Sequence, residues 1–260
     1  MNFNEISAAE LHSTTQHVLH EMYNSETLLG TESSNPIIID KIAKTDLRKG
    51  ADIHRFMRAH AVRTSLEIGF AYGFSTVWML DALRSQTNSH HIAIDPFEKT
   101  YWHGIGLAQV KRLGFDFDFH WIDDLSIHAL SDLIRRGERF DFIYIDGNHR
   151  FDDVLVDFYL SDQALKLGGH IALDDMWMRS IKTVANFVRS NRAYKEISQS
   201  GASMMILRKE REDDRDWHHF TAFHVSTEPG LLLRIARGPL RRCCPFPLRR
   251  WLRGLLDERL

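Results

Sequence analysis

The pattern of apolar residues changes near residue 64, where short apolar runs begin to alternate with longer amphipathic stretches. The runs predict five strands, at residues 65–68, 91–94, 117–122, 140–145 and 170–173. The stretches between and after them predict helices at residues 75–86, 104–113, 126–136, 151–166 and 178–191. This alternation indicates a parallel sheet joined by crossover helices. Nearly continuous apolar strands are typical of a sheet that is covered on both faces.

Two further strands are predicted at residues 194–198 and 204–208, and the short segment between them predicts a hairpin. The complete series predicts an α/β fold. Its centre would be a Rossmann-like, doubly wound sheet of seven mostly parallel strands with an antiparallel terminal hairpin.

Before the sheet, the pattern predicts a helix over residues 7–30, a loop over 31–40 and a second helix over 46–60. Thr45 or Asp46 would cap the second helix. The predicted domains are an N-terminal helical cap (1–60), a central α/β domain (61–209) and a charged linker with an Arg-rich C-terminal extension (210–260).

The C-terminal extension differs in charge from the rest of the chain. Residues 210–216 are almost all charged, and the last thirty residues contain eight arginines, no lysine and two acids among leucines and Trp251. This composition leaves three interpretations open: a solvated helix packed on the domain, a peripheral membrane segment, or a protein-docking segment.

Composition narrows the classes of protein to which this chain could belong. The 260 residues are 43% hydrophobic, enough for one substantial core, and the net charge of −2 predicts no nucleic-acid partner. The only cysteines, Cys243 and Cys244, are adjacent, which is not the pattern of a disulfide framework. Because neither a signal peptide nor a long apolar run is visible in the sequence, we expect a cytoplasmic protein.

The junction between the first strand of the sheet and its helix is the most informative segment. Glu67, Gly69 and Gly73 form the pattern E-x-G-x-x-x-G. Glycine is favoured where the backbone must approach a ligand or take a positive φ, and a helix N-terminus offers free N–H groups. A dinucleotide site requires G-x-G-x-x-G at this place, so the pattern argues against a dinucleotide oxidoreductase.

Every predicted parallel strand is followed by, or ends in, at least one acid. In strand order these acids are Glu67, Asp95, Asp123–Asp124, Asp146 and Asp174–Asp175. Ligands of open α/β sheets bind outside the carboxyl ends of the strands. Seven carboxylates at that edge would repel one another unless a cation or hydrogen-bond donors lay among them.

These motifs, in this order and spacing, resemble the class I S-adenosylmethionine-dependent methyltransferases over roughly residues 40–209. Within that class they resemble the cation-dependent O-methyltransferases that act on catechols and on macrolide sugars. The resemblance implies S-adenosylmethionine as cofactor, with Ser75 holding its carboxylate, Asp95 its ribose and Asp124, or its neighbour Asp123, its adenine. The residues implied in cofactor binding are Glu67, Gly69, Ala71, Gly73, Ser75, Asp95 and Asp124.

The later strand ends complete the resemblance. It implies that Asp146, Asp174 and Asp175 bind a divalent metal ion such as Mg²⁺, which prefers oxygen ligands. It also implies that His149, three residues after Asp146, is the catalytic base. Asp146 and His149 are therefore the predicted catalytic pair. Because relatives that methylate sugars have histidine at this position and those that methylate catechols have lysine, a sugar or glycoside acceptor is favoured over a catechol.

Two alternatives belong to other classes. One is a metal-independent methyltransferase acting on nitrogen or a carboxylate, which a chelator would not inhibit. The other is a non-catalytic cofactor-binding module that docks through the Arg-rich extension, although the complete set of motif residues argues against it. The expected partner is a small-molecule acceptor, and a homodimer is left open.

Overall fold

The N-terminal part of the fold is mostly helical. The computed structural model describes residues 11–114, 118–200 and 203–225, without the side chains of residues 198–200. A 3₁₀ turn at Lys41–Ala43 separates a small antiparallel β-ladder from the second helix. The elements are α1 (Ser13–Asn24), β1 (Thr27–Leu28), β2 (Ile37–Ile38) and α2 (Leu47–Ala59).

A seven-stranded sheet follows, with the order β5-β4-β3-β6-β7-β9-β8. The first five strands in this order are parallel, and β9 pairs antiparallel with both β7 and β8. The strands are β3 (Thr64–Ile68), β4 (His90–Ile94), β5 (Asp118–Ile122), β6 (Phe140–Ile145), β7 (Leu165–Leu173), β8 (Tyr194–Ser200) and β9 (Met204–Lys209). The helices are α3 (Phe74–Leu83), α4 (Ile105–Arg112), α5 (Ser126–Arg135), α6 (Phe151–Ala164) and α7 (Arg179–Asn191). The predicted doubly wound sheet with its terminal hairpin is confirmed.

Both faces of the sheet are covered, as the apolar strands predicted. In β6, Ile143 and Ile145 belong to the core formed with α5, α6 and α7. Phe142 and Tyr144 face the opposite way, into a core shared with α2 and α3. This alternation follows from the two-residue period of a strand.

The end of the first helix and the start of β7 were predicted wrongly. The first helix ends at Asn24, because Thr27–Leu28 pairs with Ile37–Ile38 inside the predicted helix and the predicted loop. The strand β7 begins at residue 165 instead of 170, since Gly168, with φ +79°, is accommodated within the strand. In each case pairing between strands overrides the local pattern.

The helix α2 brings part of the N-terminal region to the sheet. The Asp46 carboxylate caps the helix by accepting from the backbone N–H groups of Arg48 (2.9 Å) and Lys49 (3.3 Å). Gly50 allows α2 to approach α3 closely, because a Cβ there would lie 2.3 Å from Nε1 of Trp78. The side chain of Lys49 is consequently buried against the sheet.

Several predictions concern residues outside the described ones. The three interpretations of the Arg-rich extension depend on residues 226–260, and the start of the first predicted helix depends on residues 7–10. The proposed domain boundaries stay predictions. No helix among the described residues is long and apolar enough to cross a membrane.

Candidate active site

The loop between β3 and α3 is shaped by two glycines in the left-handed region. Gly69 has φ +93°, and a Cβ there would lie 2.3 Å from the backbone oxygen of Asp146. Gly73, with φ +77°, is the N-cap residue of α3. Ala71 also has a positive φ of +46°. The loop therefore turns sharply beside the end of β6, with backbone close to backbone.

Asp95 holds this loop in place from the end of β4. Its buried Oδ2 accepts hydrogen bonds from the backbone N–H groups of Phe70 (3.0 Å) and Ala71 (2.9 Å), and Oδ1 accepts one from Phe97 (2.8 Å). A carboxylate offers about four acceptor positions, so these bonds occupy most of them. Asp95 thus fastens the loop, and its predicted contact with a ribose stays a prediction.

Glu67 is buried beneath the first turn of α3. The hydroxyl groups of Ser75 and Thr76 both donate to its carboxylate, and Nε2 of His91 lies 3.6 Å from its Oε2. In this arrangement the Ser75 hydroxyl is directed to Glu67. The cofactor roles of Glu67 and Ser75 stay predictions. Thr76 and His91 were not predicted, although polar residues within apolar runs were a visible signal.

Asp124 lies at the end of β5 and is partly exposed. Its Oδ1 accepts a hydrogen bond from the backbone N–H of Leu125 at 2.7 Å and lies 3.0 Å from Nδ1 of His128. The hydrogen bond with His128 lowers the pKa of Asp124. The neighbouring Asp123 is exposed. The predicted adenine contact of Asp124, and the choice between the two acids, stay predictions.

His149, Asp146 and Asp175 form a cluster where β6 and β7 end. One ligand atom from each lies within 4.8 Å of the others. Nε2 of His149 is 2.9 Å from Oδ2 of Asp175 and 3.6 Å from Oδ1 of Asp146. The two carboxylates raise the pKa of His149 to about 10, whereas burial and the nearby charge of Asp174 raise the pKa of Asp146. The spacing of three residues after Asp146 therefore brings His149 to this cluster.

Asp174 is oriented differently. Its Oδ1 and Oδ2 lie 2.6 Å and 2.7 Å from Nζ of Lys49, and its Oδ2 accepts a 2.5 Å hydrogen bond from the Tyr144 hydroxyl. The same hydroxyl lies 3.4 Å from Oδ2 of Asp146, so Tyr144 links the two acids. Lys49 was not predicted as a site residue. Its spacing of four and eight residues before Ile53 and Met57, on the buried face of α2, was the available signal.

Asp175 occupies the middle of this arrangement. It has a left-handed φ of +50°, and its Oδ1 accepts a hydrogen bond from Nε1 of Trp177 at 3.1 Å. Nζ of Lys49 lies 3.8 Å from the same oxygen. The interactions with His149 and Lys49 lower the pKa of Asp175, against the effect of burial. This carboxylate therefore remains ionised and contacts both cationic groups.

The donor set fits a hard divalent cation. Asp146 and Asp175 offer carboxylate oxygens on one side of the cluster, and such oxygens are the ligands that Mg²⁺ prefers. His149 is close enough to these oxygens to be an additional ligand. Asp174, the third predicted ligand, offers both its oxygens to Lys49. Two of the three predicted ligands are thus brought together, while the third forms an ion pair.

The central part of the chain matches a family model. Residues 66–176, from β3 to just beyond β7, match the model described as a methyltransferase domain. This range contains all seven acids at the strand ends. No curated protein matches the chain significantly.

Several solved methyltransferase structures share the fold of this chain. The O-methyltransferase from Bacillus cereus in complex with S-adenosylhomocysteine is 17% identical, with a TM-score of 0.58 over 80% of this chain and 96% of that chain. A methyltransferase from Podospora anserina bound to S-adenosylhomocysteine is 13% identical, with a TM-score of 0.62 over 80% and 92%. The O-methyltransferase of tomaymycin synthesis from Streptomyces achromogenes, in complex with S-adenosylmethionine, is 16% identical, with a TM-score of 0.56 over 80% and 95%.

The predicted resemblance to class I methyltransferases, and among them to O-methyltransferases, is confirmed by these matches. Residues 66–176 are thus similar to the methyltransferase-domain family, and the chain has the fold of solved S-adenosylmethionine-dependent methyltransferases.

Proposed function

We propose that this protein transfers a methyl group from S-adenosylmethionine to a hydroxyl of a small polyhydroxylated acceptor, assisted by a divalent cation and by His149. The observation that carries the proposal is the position of His149, which lies 2.9 Å from Asp175 and 3.6 Å from Asp146 at the carboxyl edge of the sheet. The solved relatives in complex with S-adenosylmethionine or S-adenosylhomocysteine support the cofactor.

The cofactor would lie over the loop between β3 and α3. S-adenosylmethionine supplies an electrophilic methyl group on a sulfonium. Gly69 and Gly73 keep the loop free of side chains where the backbone turns, and Asp95 fixes its N–H groups. We infer that Asp95 contributes through the loop as well as through the proposed ribose contact.

Asp146 and Asp175 would hold the cation. Asp174 would become a third ligand if it gave up its contact with Lys49. A divalent cation held there would lower the pKa of an acceptor hydroxyl and oppose protonation of His149. With both carboxylates on the cation, Nε2 of His149, which faces Oδ2 of Asp175 in the structure, would be free to accept the hydroxyl proton. Trp177 in turn fixes Asp175 by its hydrogen bond. Much of the acceleration would come from orienting the acceptor oxygen towards the methyl group.

The acceptor follows from the chemistry of the cluster. Two neighbouring hydroxyl groups chelate a cation better than one, which favours a sugar diol or a catechol. The histidine at position 149 favours the sugar or glycoside, by resemblance to the sugar-methylating enzymes. Trp177 is half-exposed beside Asp175 and is available to line an acceptor site.

A metal-independent methyltransferase is the second candidate. The specific observation that favours it is the ammonium of Lys49 on Asp174, because the chain itself supplies a cation there. Chelation separates the two candidates, since only the first loses activity with EDTA.

The test begins with calorimetric titration of the full chain by S-adenosylhomocysteine, followed by methyl-transfer assays with sugar diols and catechols, each with Mg²⁺ or EDTA. We expect cofactor binding in both conditions and transfer only with Mg²⁺. Failure to bind S-adenosylhomocysteine would overturn the methyltransferase proposal. Transfer that is unchanged in EDTA would overturn the metal assistance and leave the second candidate.

A further inference from the structure

A buried lysine from the N-terminal region reaches the carboxylates at the end of β7. Lys49 is near the start of α2, where the Asp46 cap and the close contact of Gly50 with Trp78 hold the backbone against α3. Its side chain is 10% exposed, and that of its partner Asp174 is 4% exposed. The helix therefore directs a cation into the proposed active site from outside the residues 66–176 that match the methyltransferase domain.

The geometry is that of a close ion pair with two acceptors. Both oxygens of Asp174 lie within 2.7 Å of Nζ, and Oδ1 of Asp175 lies 3.8 Å from it. A buried charge is costly unless it is paired and hydrogen-bonded, and the Tyr144 hydroxyl supplies a further donor to Asp174. The negative charge of Asp174 is thus balanced by Lys49 within the protein.

We propose that Lys49 is a positioning residue of the active site whose ammonium competes with a divalent cation for Asp174. The inference rests on the cation-assisted function proposed above. An ammonium is a compact cation with several donors, and the oxygens it contacts are those that a third metal ligand would have to offer. Asp174 cannot offer both of its oxygens to Lys49 and bind the cation at the same time.

The competition has two consequences. With Asp174 paired to Lys49, the site has two available carboxylates, those of Asp146 and Asp175. It therefore binds the cation more weakly than a site of three free carboxylates would, and the ion exchanges readily. Binding of the cation also weakens the attachment of Lys49 to β7, which couples α2 to occupancy of the site. Such coupling is reciprocal, because each partner lowers the affinity of the other.

The first test measures Mn²⁺ binding by calorimetry to the full chain saturated with S-adenosylhomocysteine. We expect Lys49→Met to bind Mn²⁺ about ten-fold more tightly than the wild type, within the usual range of coupling between sites. The matched control is Lys41→Met, which removes an exposed lysine of the 3₁₀ turn and should change the affinity by less than about two-fold. An unchanged or weaker affinity of Lys49→Met would overturn the inference.

A second measurement uses the wild-type protein, so that it stands even if Lys49→Met does not fold. Lysine acetylation is quantified by mass spectrometry with and without saturating Mn²⁺, and Lys41 serves as the internal reference. We expect Lys49 to be protected without the ion and to react several-fold faster with it. Unchanged protection in a protein that binds Mn²⁺ would overturn the inference and leave the proposed function standing.

The proposed function fails in a different way. If neither the wild type nor Lys49→Met binds Mn²⁺ while both bind S-adenosylhomocysteine, the cation-assisted reaction and the competition are both overturned. If only Lys49→Met binds the ion, the competition is supported, whereas the cation-assisted reaction of the wild type is overturned.

Discussion

The backbone N–H of Ala71 donates a 2.9 Å hydrogen bond to the buried carboxylate of Asp95, which joins the loop after β3 to the end of β4. Phe70 and Phe97 donate to the same carboxylate. One acid thereby satisfies three backbone donors that the surrounding protein would otherwise leave unpaired. This makes Asp95 a structural support of the proposed cofactor site.

Asp95→Ala should therefore lower both stability and cofactor affinity. We expect the free energy of unfolding to fall by about 2–4 kcal/mol, because buried N–H groups lose their acceptor. The affinity for S-adenosylhomocysteine should fall at least about ten-fold, which corresponds to 1.4 kcal/mol. Urea denaturation and calorimetry measure the two effects. Asp118→Ala, at an exposed acid of β5, is the control, and wild-type affinity in Asp95→Ala would contradict the assigned support.

Gly69→Ala tests the close approach between β3 and β6. The new Cβ would lie 2.3 Å from the backbone oxygen of Asp146, at a φ of +93°. Gly137→Ala is a matched control, since Gly137 has a φ of +78° and nothing within 4 Å of the position of a Cβ. We expect Gly69→Ala to be at least about 2 kcal/mol less stable than Gly137→Ala, because only the first adds a clash to the backbone strain. Equal melting curves would show that the loop relaxes without cost.

Glu98 should make stability depend on pH. Burial raises the pKa of Glu98 from its ordinary value of 4.5 to about 8, although the backbone N–H of Leu107 donates to its carboxyl group. Because the folded-state pKa is raised, the stability from Glu98 is fully present below pH 4.5 and is lost as the pH rises through about 8.

Glu98→Gln should remove this pH dependence, since the amide stays neutral and keeps an acceptor oxygen. We expect the free energy of unfolding of the variant to rise relative to that of the wild type between pH 5 and pH 9, by at most a few kcal/mol. Urea denaturation across that range measures the difference, with the exposed Glu26→Gln as control. Parallel stability profiles of Glu98→Gln and the wild type would contradict the raised pKa.

His149→Ala tests the base. Loss of a general base should reduce methyl transfer by about 10²–10⁴-fold, whereas the affinity for S-adenosylhomocysteine should hardly change. His218→Ala, which removes an exposed histidine paired with Asp216 after β9, should leave both quantities unchanged. Transfer near the wild-type rate in His149→Ala would remove the histidine from the reaction.

The order of elements was readable from the sequence because burial imposes a period on each of them. Runs such as Phe140–Ile145 are apolar because both faces of that strand are covered. The pairing of Thr27–Leu28 with Ile37–Ile38 was not readable, since a two-residue strand has no period of its own. The acids at the strand ends were visible because each interrupts or follows an apolar run, although Glu67, Asp95 and Asp174 are themselves buried.

The sequence by itself determined the parallel sheet, the glycine loop and the row of acids, since each depends on residues that are neighbours along the chain. The partners of Asp174 and Asp95 were decided only by the tertiary structure. Asp174 meets Lys49 across 125 positions of sequence, and Asp95 turns towards the loop after β3. No local sequence pattern predicts such contacts. They depend on where α2 packs and on which hydrogen-bond donors are buried away from water and need an acceptor within the protein.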